Sequence, residues 1–223
     1  MTASTSSANL PADTADDLRL AQAVARGDQG AFEIVMRRHN PKLFRVARAI
    51  LKDDAEAEDA LQEAYLAAFR GMSGFQGTAQ LSTWLTRIVV NEALGRLRRR
   101  KRQDVVIKFA GREELSSVEQ EPAEEQAIRS QLRALLERKI DALPLHFRTV
   151  FMMREVEEMS VEETAACLSI PAATVRSRLH RARAQLRESL ALEMESASGG
   201  VFRFDGARCD RIVIRVLTQL ARS

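Results

Sequence analysis

The stretch Ser160–Leu186, SVEETAACLSIPAATVRSRLHRARAQL, decides how the chain folds. Ser160 followed three residues later by Glu163 is a capping box, in which side chain and backbone satisfy each other's donors at the start of a helix. That helix is expected to run to about Leu168. The turn Ser169-Ile170-Pro171 then ends it, and a second helix starts at Pro171 or Ala172. In the second helix Val175, Leu179, Ala182 and Leu186 recur at spacings of four, three and four, which makes one apolar stripe. Off that stripe stand Arg176, Ser177, Arg178, His180, Arg181, Arg183 and Arg187, with no acid before Glu188. Two helices joined by a short turn, the second amphipathic with a basic outer face, form a helix-turn-helix suited to the major groove. Arginines near the N-terminal end of such a helix can fork onto guanine O6 and N7, and the others neutralise phosphates and set register. An ordinary solvated basic face is the competing account of one such helix. The turn, the capped first helix and the missing acids together favour DNA. His180 can be either a base contact or an exposed polar residue, and Cys167 reads as core filler.

Working outward, helical periodicity fills most of the chain. Residues 1–17 read as a disordered leader. Ala31, Phe32, Val35 and Met36 form one apolar stripe, and Leu43, Phe44, Ala47, Ile50 and Leu51 form another, with Pro41 placed near the start of that second helix. A third helix is expected from about Asp54 to Arg70, with Ala57, Leu61, Ala64, Tyr65, Ala68 and Phe69 on one face. Gly71, Gly74 and Gly77 mark a loop, and a fourth helix starts near Ser82. Periodicity fades over residues 103–126, where Glu, Ser and Gln dominate; this reads as a linker. Helices resume near Ala123, with Leu132, Leu135, Leu136 and Ile140 on one face until Leu143-Pro144, and another follows near Phe147–Glu155.

Composition agrees. The 223 residues are 45% hydrophobic and 5% aromatic, with ten Gly and five Pro, so the cores must be aliphatic and few turns are punctuated. That suits an all-α protein better than a β-sandwich. The net charge of +3 conceals blocks: acid from Asp53 to Glu63 and from Glu113 to Glu125, base from Arg96 to Arg102 and from Arg176 to Arg187. Such a chain touches a polyanion in two places. Cys167 and Cys209 suggest neither a metal cluster nor a disulfide framework. No apolar run reaches the roughly 18 residues needed to span a membrane, and the N-terminus lacks the pattern of a secretory signal. The expected location is therefore the cytoplasm. No His, Cys or carboxylate cluster has catalytic spacing, so neither catalytic residues, metal nor cofactor are expected.

Phe75–Arg102, FQGTAQLSTWLTRIVVNEALGRLRRRKR, joins a Gly-containing loop to a helix that carries Trp84 and ends in Arg98, Arg99, Arg100, Lys101 and Arg102. Alone, the basic run is a nonspecific patch and Trp84 a core residue. Together they suggest a loop that meets bases above a helix that meets phosphates. With these residues in view, residues 18–192 resemble a bacterial RNA polymerase sigma factor of the extracytoplasmic-function (ECF) group. The resemblance rests on Asp28-Gln-Gly-Ala-Phe32, Ala57-Glu-Asp-Ala-Leu-Gln-Glu63, Ser82-Thr-Trp-Leu-Thr-Arg-Ile88 with Asn91, and Leu143-Pro144 followed by Thr174–Arg183, in that order and spacing.

The resemblance implies two small helical domains joined by a flexible acidic linker, the second a helix-turn-helix domain; a C-terminal helical extension lies beyond the stretch that resembles the family. Residues 18–102 would bind core polymerase at the β′ clamp helices, through Asp59, Gln62 and Glu63. They would also capture the non-template strand of the −10 element, through Phe75, Gln76, Leu81, Ser82, Thr83, Asn91, Arg98 and Arg99. Opening a duplex in this way needs no catalyst, only a pocket that holds an unstacked base, flipped at a cost of a few kcal/mol. Trp84 would anchor the loop rather than stack on a base. Residues 127–195 would rest on the β flap and read the −35 element through Thr174, Arg176, Ser177, Arg178, His180, Arg181 and Arg183. An anti-sigma factor is a further implied partner.

Two departures stand out. The family often has Gly before the first helix of the helix-turn-helix, where this chain has Glu158-Met159. Residues 196–223 are an extra tail: a flexible joint at Ser196–Gly200, then Phe202 and Phe204, then a helix from about Ala207 to Leu220 with Ile212, Val213, Val216, Leu217 and Leu220 apolar. A tail this apolar is expected to dock, either to stabilise the second domain or to modulate its activity. Two other classes of function remain. A stand-alone helix-turn-helix regulator leaves the first domain unexplained. A mimic that titrates an anti-sigma factor has no use for the arginines from Arg176 to Arg187.

Overall fold

The computed structural model describes residues 12–106, 124–198 and 206–220, and all regular structure among them is helical. The helices are α1 (Ala12–Ala25), α2 (Gln29–Leu51), α3 (Asp54–Gly71), α4 (Leu81–Val106), α5 (Glu124–Ala142), α6 (Leu145–Phe151), α7 (Val161–Leu168), α8 (Ala172–Ser198) and α9 (Gly206–Leu220). A 3₁₀ turn at Met72–Gly74 follows α3, and a π turn at Met152–Val156 follows α6. The chain divides into two compact units, Met1–Arg183 and Ala184–Ser223.

The first unit is built on α2, α3 and α4. Asp28 and Asp53 start α2 and α3 by accepting from the backbone N–H of Ala31 and Glu56, and Lys52 in a left-handed conformation ends α2. Each cap satisfies a donor or acceptor that a helix end otherwise leaves orphaned. Ala47, Ala57, Ala60, Ala64 and Ala68 are all buried, and their small side chains let the helices pack closely. Leu43, Val46, Ile50, Leu85, Val89 and Val90 fill the space between. Phe32 closes one end, edge-on to Tyr65 at 5.9 Å and tilted against Phe69 at 5.1 Å.

Several expectations are corrected. Pro41 does not begin a helix; it lies inside the 23-residue α2. An interior proline removes a backbone hydrogen bond and costs about 3 kcal/mol. Here the two apolar stripes on either side of it, from Ala31 to Leu51, continue on one face and are buried together, which offsets that loss. The Tyr65 hydroxyl lies 2.8 Å from Asn40 Oδ1 and 3.2 Å from the Met36 carbonyl, tying the turn before Pro41 to α3. The leader is shorter than expected, because residues 12–17 belong to α1, where Asp16 and Asp17 take both arms of the Arg38 guanidinium. The helix expected over Phe147–Glu155 starts at Leu145 and widens into the π turn at Met152. The joint expected from Ser196 is helical to Ser198. The rest of the leader (1–11), most of the linker (107–123), the rest of the joint, Phe202 and Phe204 lie outside the described residues.

The helix-turn-helix packs directly on this bundle. Met153, Met159 and Cys167 join the core of α2, α3 and α4, and Leu145 and Leu168 pack against it. The second helical domain as far as Arg183 therefore lies in the first unit with the bundle. A small separate cluster of Val150, Val175 and Leu179, with Phe151, Val161, Ala165, Leu168 and Ile170 around it, holds α8 to α6 and α7. In the second unit α9 forms close to where it was expected and carries Ile212, Val213, Val216, Leu217 and Leu220.

Candidate nucleic-acid interface

The helix-turn-helix forms as its sequence prescribes. Ser160 Oγ accepts from Glu163 N at 3.0 Å while Glu163 Oε2 accepts from Ser160 N at 2.8 Å, completing the capping box. The turn depends on Ser169 in the left-handed region, with φ 52°. Glu158, where the family often has Gly, also has φ 52°. That is the conformation glycine adopts without a steric penalty. The chain keeps the loop and accepts the strain.

On α8, Val175, Leu179, Ala182 and Leu186 are buried, as the stripe requires. Arg176, Ser177, His180, Arg181 and Arg183 are exposed, and Thr174 and Arg178 are half-buried. The stretch carries no acid of its own, yet two reach it from the preceding elements. Glu155 accepts from Arg183 Nη2 at 2.7 Å, and Glu162 stands 3.6 Å from Arg176. Such partners are legible only in three dimensions. Exposed ion pairs are worth about 0–1 kcal/mol, so a phosphate can displace either. The positive field reaches His146: its pKa is pulled down by burial first, then by Arg178 and Arg181.

The second candidate surface lies at the start of α4. Phe75 and Trp84 pack with ring centroids 5.6 Å apart, and Gly71 lies under the Trp84 ring, so the tryptophan does anchor the loop. Gly77 is held at φ 68° with its Cα facing Leu18 of α1; an added Cβ would stand 2.5 Å from the Leu18 side chain. Gln76, Asn91, Arg98 and Arg99 are exposed and Ser82 is half-buried. Arg99 donates to Glu92 at 2.9 Å, and Glu92 also holds Arg96, whose guanidinium lies near Glu56 and Asp59. Leu81, expected to face the strand, is instead fully buried in the core, because as the first residue of α4 it turns inward with Leu85. Thr83 is only 7% exposed. Its hydroxyl donates to Glu163 Oε1 at 2.6 Å, and its carbonyl accepts from Cys167 Sγ at 3.5 Å. Burial pushes the Cys167 thiol up to about 11. Glu163 is pushed up by burial, but hydrogen bonds from Thr83 and Ser160 outweigh this and hold its carboxyl below the usual range.

The third surface is the acidic face of α3. Asp59, Gln62 and Glu63 are all exposed. Beside them an open groove of about 530 Å³ runs between α2 and α3, lined by Met36, Asn40, Pro41, Phe44, Glu58, Leu61, Gln62 and Tyr65. The sequence pointed to the acids but missed the apolar floor, whose residues come from two helices. Among the described residues no group of three or more His, Cys, Asp or Glu is gathered as a metal site.

Polar ties complete the joint between the two domains. Arg45 donates to both oxygens of Glu157, at 2.5 and 3.0 Å, and the Glu157 side chain is 3% exposed. Arg48 binds Asp141 at 3.1 Å and Asp54 at 2.5 Å. Arg148 is buried and donates to the carbonyls of Ala49, Asp141 and Leu143. Burial lowers its pKa, an effect Asp141 opposes.

A basic helix-turn-helix tied to a second, wholly helical domain defines a DNA-binding transcription protein. Comparison makes this specific. Residues 35–103 match the family model Sigma-70 region 2, and residues 133–186 match Sigma-70, region 4. The chain is 33% identical to the RNA polymerase sigma-H factor of Pseudomonas aeruginosa, over 78% of this chain and 93% of that one. It is 37% identical to the ECF RNA polymerase sigma factor SigM of Mycobacterium tuberculosis, over 78% of this chain and 84% of that one. Among solved structures it resembles CnrH in complex with the cytosolic domain of CnrY, with a TM-score of 0.57 and 25% identity over 79% of this chain and 98% of that one. It shares its fold with the sigma factor RpoE of Bartonella quintana, solved with the anti-sigma factor NepR, at a TM-score of 0.58 and 22% identity over 72% of this chain and 96% of that one. The chain belongs to the ECF group of RNA polymerase sigma factors and is a DNA-binding transcription-initiation factor.

Proposed function

We propose that the two domains divide promoter recognition between them, with no catalytic step in either and no cofactor. Residues 18–102 form the polymerase-binding and −10 domain, residues 103–126 the linker, and residues 127–195 the −35 domain. The basic outer face of α8 carries this reading. Thr174, Arg176, Ser177, Arg178, His180, Arg181 and Arg183 meet the −35 duplex, with the forward arginines on base edges and the rest on phosphates. Gln76, Ser82, Thr83 and Asn91 hold the unstacked −10 strand beneath the Phe75–Trp84 stack, while Arg98 and Arg99 hold its phosphates. Asp59, Gln62 and Glu63, with the groove beside Gln62, receive the β′ clamp helices, and the second domain rests on the β flap. The work is done in the cytoplasm: no helix among the described residues is long and apolar enough to cross a membrane. By analogy with the sigma factors solved with anti-sigma partners, an anti-sigma factor is the expected regulator.

In vitro transcription with purified core polymerase and genomic DNA tests the reading and supplies the promoter sequence. Arg176→Ala or Arg181→Ala should cost about 1–3 kcal/mol in upstream duplex binding, as expected for loss of a bidentate base contact. Asn91→Ala should leave duplex binding intact and slow promoter opening, followed by permanganate reactivity of unpaired thymines. The same defect from both classes of substitution would disprove the division of labour.

A further inference from the structure

We propose that α1 sets the conformation of the −10 loop, with Leu18 as the seat for Gly77, and that this contact aims Gln76 at the unstacked strand. The inference rests on the assignment of Gln76 to that strand, and it makes Leu18 and Gly77 positioning residues for promoter opening.

The loop between the 3₁₀ turn and α4 is fixed at both ends. Met72 is buried in the core, the Phe75 N–H donates to the Met72 carbonyl at 3.0 Å, and the Phe75 ring lies on Trp84. At the far end Leu81 is fully buried. Between Phe75 and Leu81 the chain is exposed at Gln76, Thr78, Ala79 and Gln80 and turns inward only at Gly77. What Gly77 meets there is the Leu18 side chain, whose Cδ2 stands 2.5 Å from where a Cβ would be, so the backbone of the loop rests directly on it. Glycine alone suits both this close approach and the left-handed φ of 68°. Gln76 is the adjoining residue, so its direction follows from where Gly77 sits.

Leu18 is itself held in place. Ala21 and Val24 bury α1 in the core, and α1 packs on α2, the 3₁₀ turn and α4. The Arg38 guanidinium of α2 takes Asp16 at 2.9 Å and Asp17 at 3.0 Å, immediately before Leu18. The frame of α2 is thus carried through α1 to the loop. α1 precedes residues 35–103, the stretch that matches Sigma-70 region 2, so Leu18 comes from outside the family motif. A pocket for a flipped base must hold it more tightly than stacking does. A loop already seated in its bound form loses less freedom when the base arrives.

Trp84 is the only tryptophan in the chain and lies against Phe75. Its fluorescence and acrylamide quenching therefore report on the loop in the full-length free protein, with no promoter present. Leu18→Ala removes the seat. It should expose Trp84 to the quencher and slow opening of a promoter mapped by in vitro transcription about tenfold, read by permanganate, with binding to core polymerase unchanged. Leu18→Met, of nearly the same volume, should match wild type in both readouts. Gly77→Ala should also slow opening, and adding Leu18→Ala, which vacates space for the new methyl, should restore part of the rate. Val24→Ala is the structural control: it cuts into the core of α1 about 9 Å along the helix from Leu18. It should lower the melting temperature while Trp84 quenching and opening stay as in wild type. Quenching unchanged by Leu18→Ala, or changed equally by Val24→Ala, would overturn the proposal. So would normal opening by Leu18→Ala at a promoter that Asn91→Ala opens slowly. Normal opening by both, with the quenching pattern intact, would sink the −10 reading and leave the hold of α1 on the loop standing.

Discussion

The two surfaces proposed to face DNA are built by opposite means. The α8 face is local: one stripe of four apolar residues sets its orientation, and every residue proposed to touch the −35 duplex comes from a single stretch, Thr174–Arg183. The −10 surface is assembled from the loop after α3, the start of α4 and its distal turns, and its central threonine is covered by another domain. A site on one continuous helix is open as soon as the helix forms. A site at a junction is open only when the junction is, so its availability can be regulated without altering the site itself.

The largest effect that tests this contrast should come from Arg148. Arg148→Ala removes a buried cation that donates to three carbonyls, one of them across the joint. Hydrogen bonds from charged groups contribute about 1.5–3 kcal/mol each, with large overlap, so a loss of about 3 kcal/mol in a denaturant melt is expected. A loss below about 1 kcal/mol would mean that the joint is not formed in solution.

A smaller effect belongs to Glu163, which both caps α7 and accepts from Thr83 of α4. Glu163→Gln weakens the cap at Ser160 and the bond from Thr83 together, and a loss of about 1–2 kcal/mol is expected. Thr83→Val should remove only the second part, so the double variant should lose less than the sum of the single ones. The pH dependence follows from the lowered pKa of Glu163. A carboxyl held below its unfolded value stabilises the fold above that value, 4.5, and the contribution is lost as pH falls through the folded value. Comparison of wild type with Glu163→Gln between neutral pH and acid should show the gap closing as pH falls. A gap that stays constant would remove the carboxylate from the account.

The smallest effect should be a gain. Glu158→Gly relieves a left-handed backbone before α7. The Cβ strain of about 1–2 kcal/mol is partly offset by the extra freedom of glycine in the unfolded chain, so the variant should be more stable by about 0.5–1 kcal/mol. Its DNA binding should be unchanged. A lower melting temperature would show that the Glu158 side chain has a role of its own.

Much of this was legible from residues alone, and for a common reason. The capping box at Ser160, the stripe from Val175 to Leu186 and the stripe of α3 are short-range patterns, and helix geometry converts spacing into direction within a few residues. Pro41 misled because its local cost is real, and it is overcome only by apolar burial along the whole of α2. Leu81 misled because motif position was taken for surface position. The groove beside Gln62, the acids that meet Arg176 and Arg183, and the bond from Arg148 to the Ala49 carbonyl each join residues of different elements, which the periodicity of a single helix does not bring together.

By itself, then, the sequence determined that this protein is all helical, that α8 turns an arginine face outward and that α3 turns acids outward. Each follows from the periodicity of one helix. Only the tertiary structure decided that the same Glu163 that caps α7 also holds Thr83, 80 residues away, so that α7 packs on the start of α4. The reason is physical. A capping carboxylate has two oxygens, the backbone N–H of Ser160 uses one, and the partner of the other is set by whichever helix packs alongside.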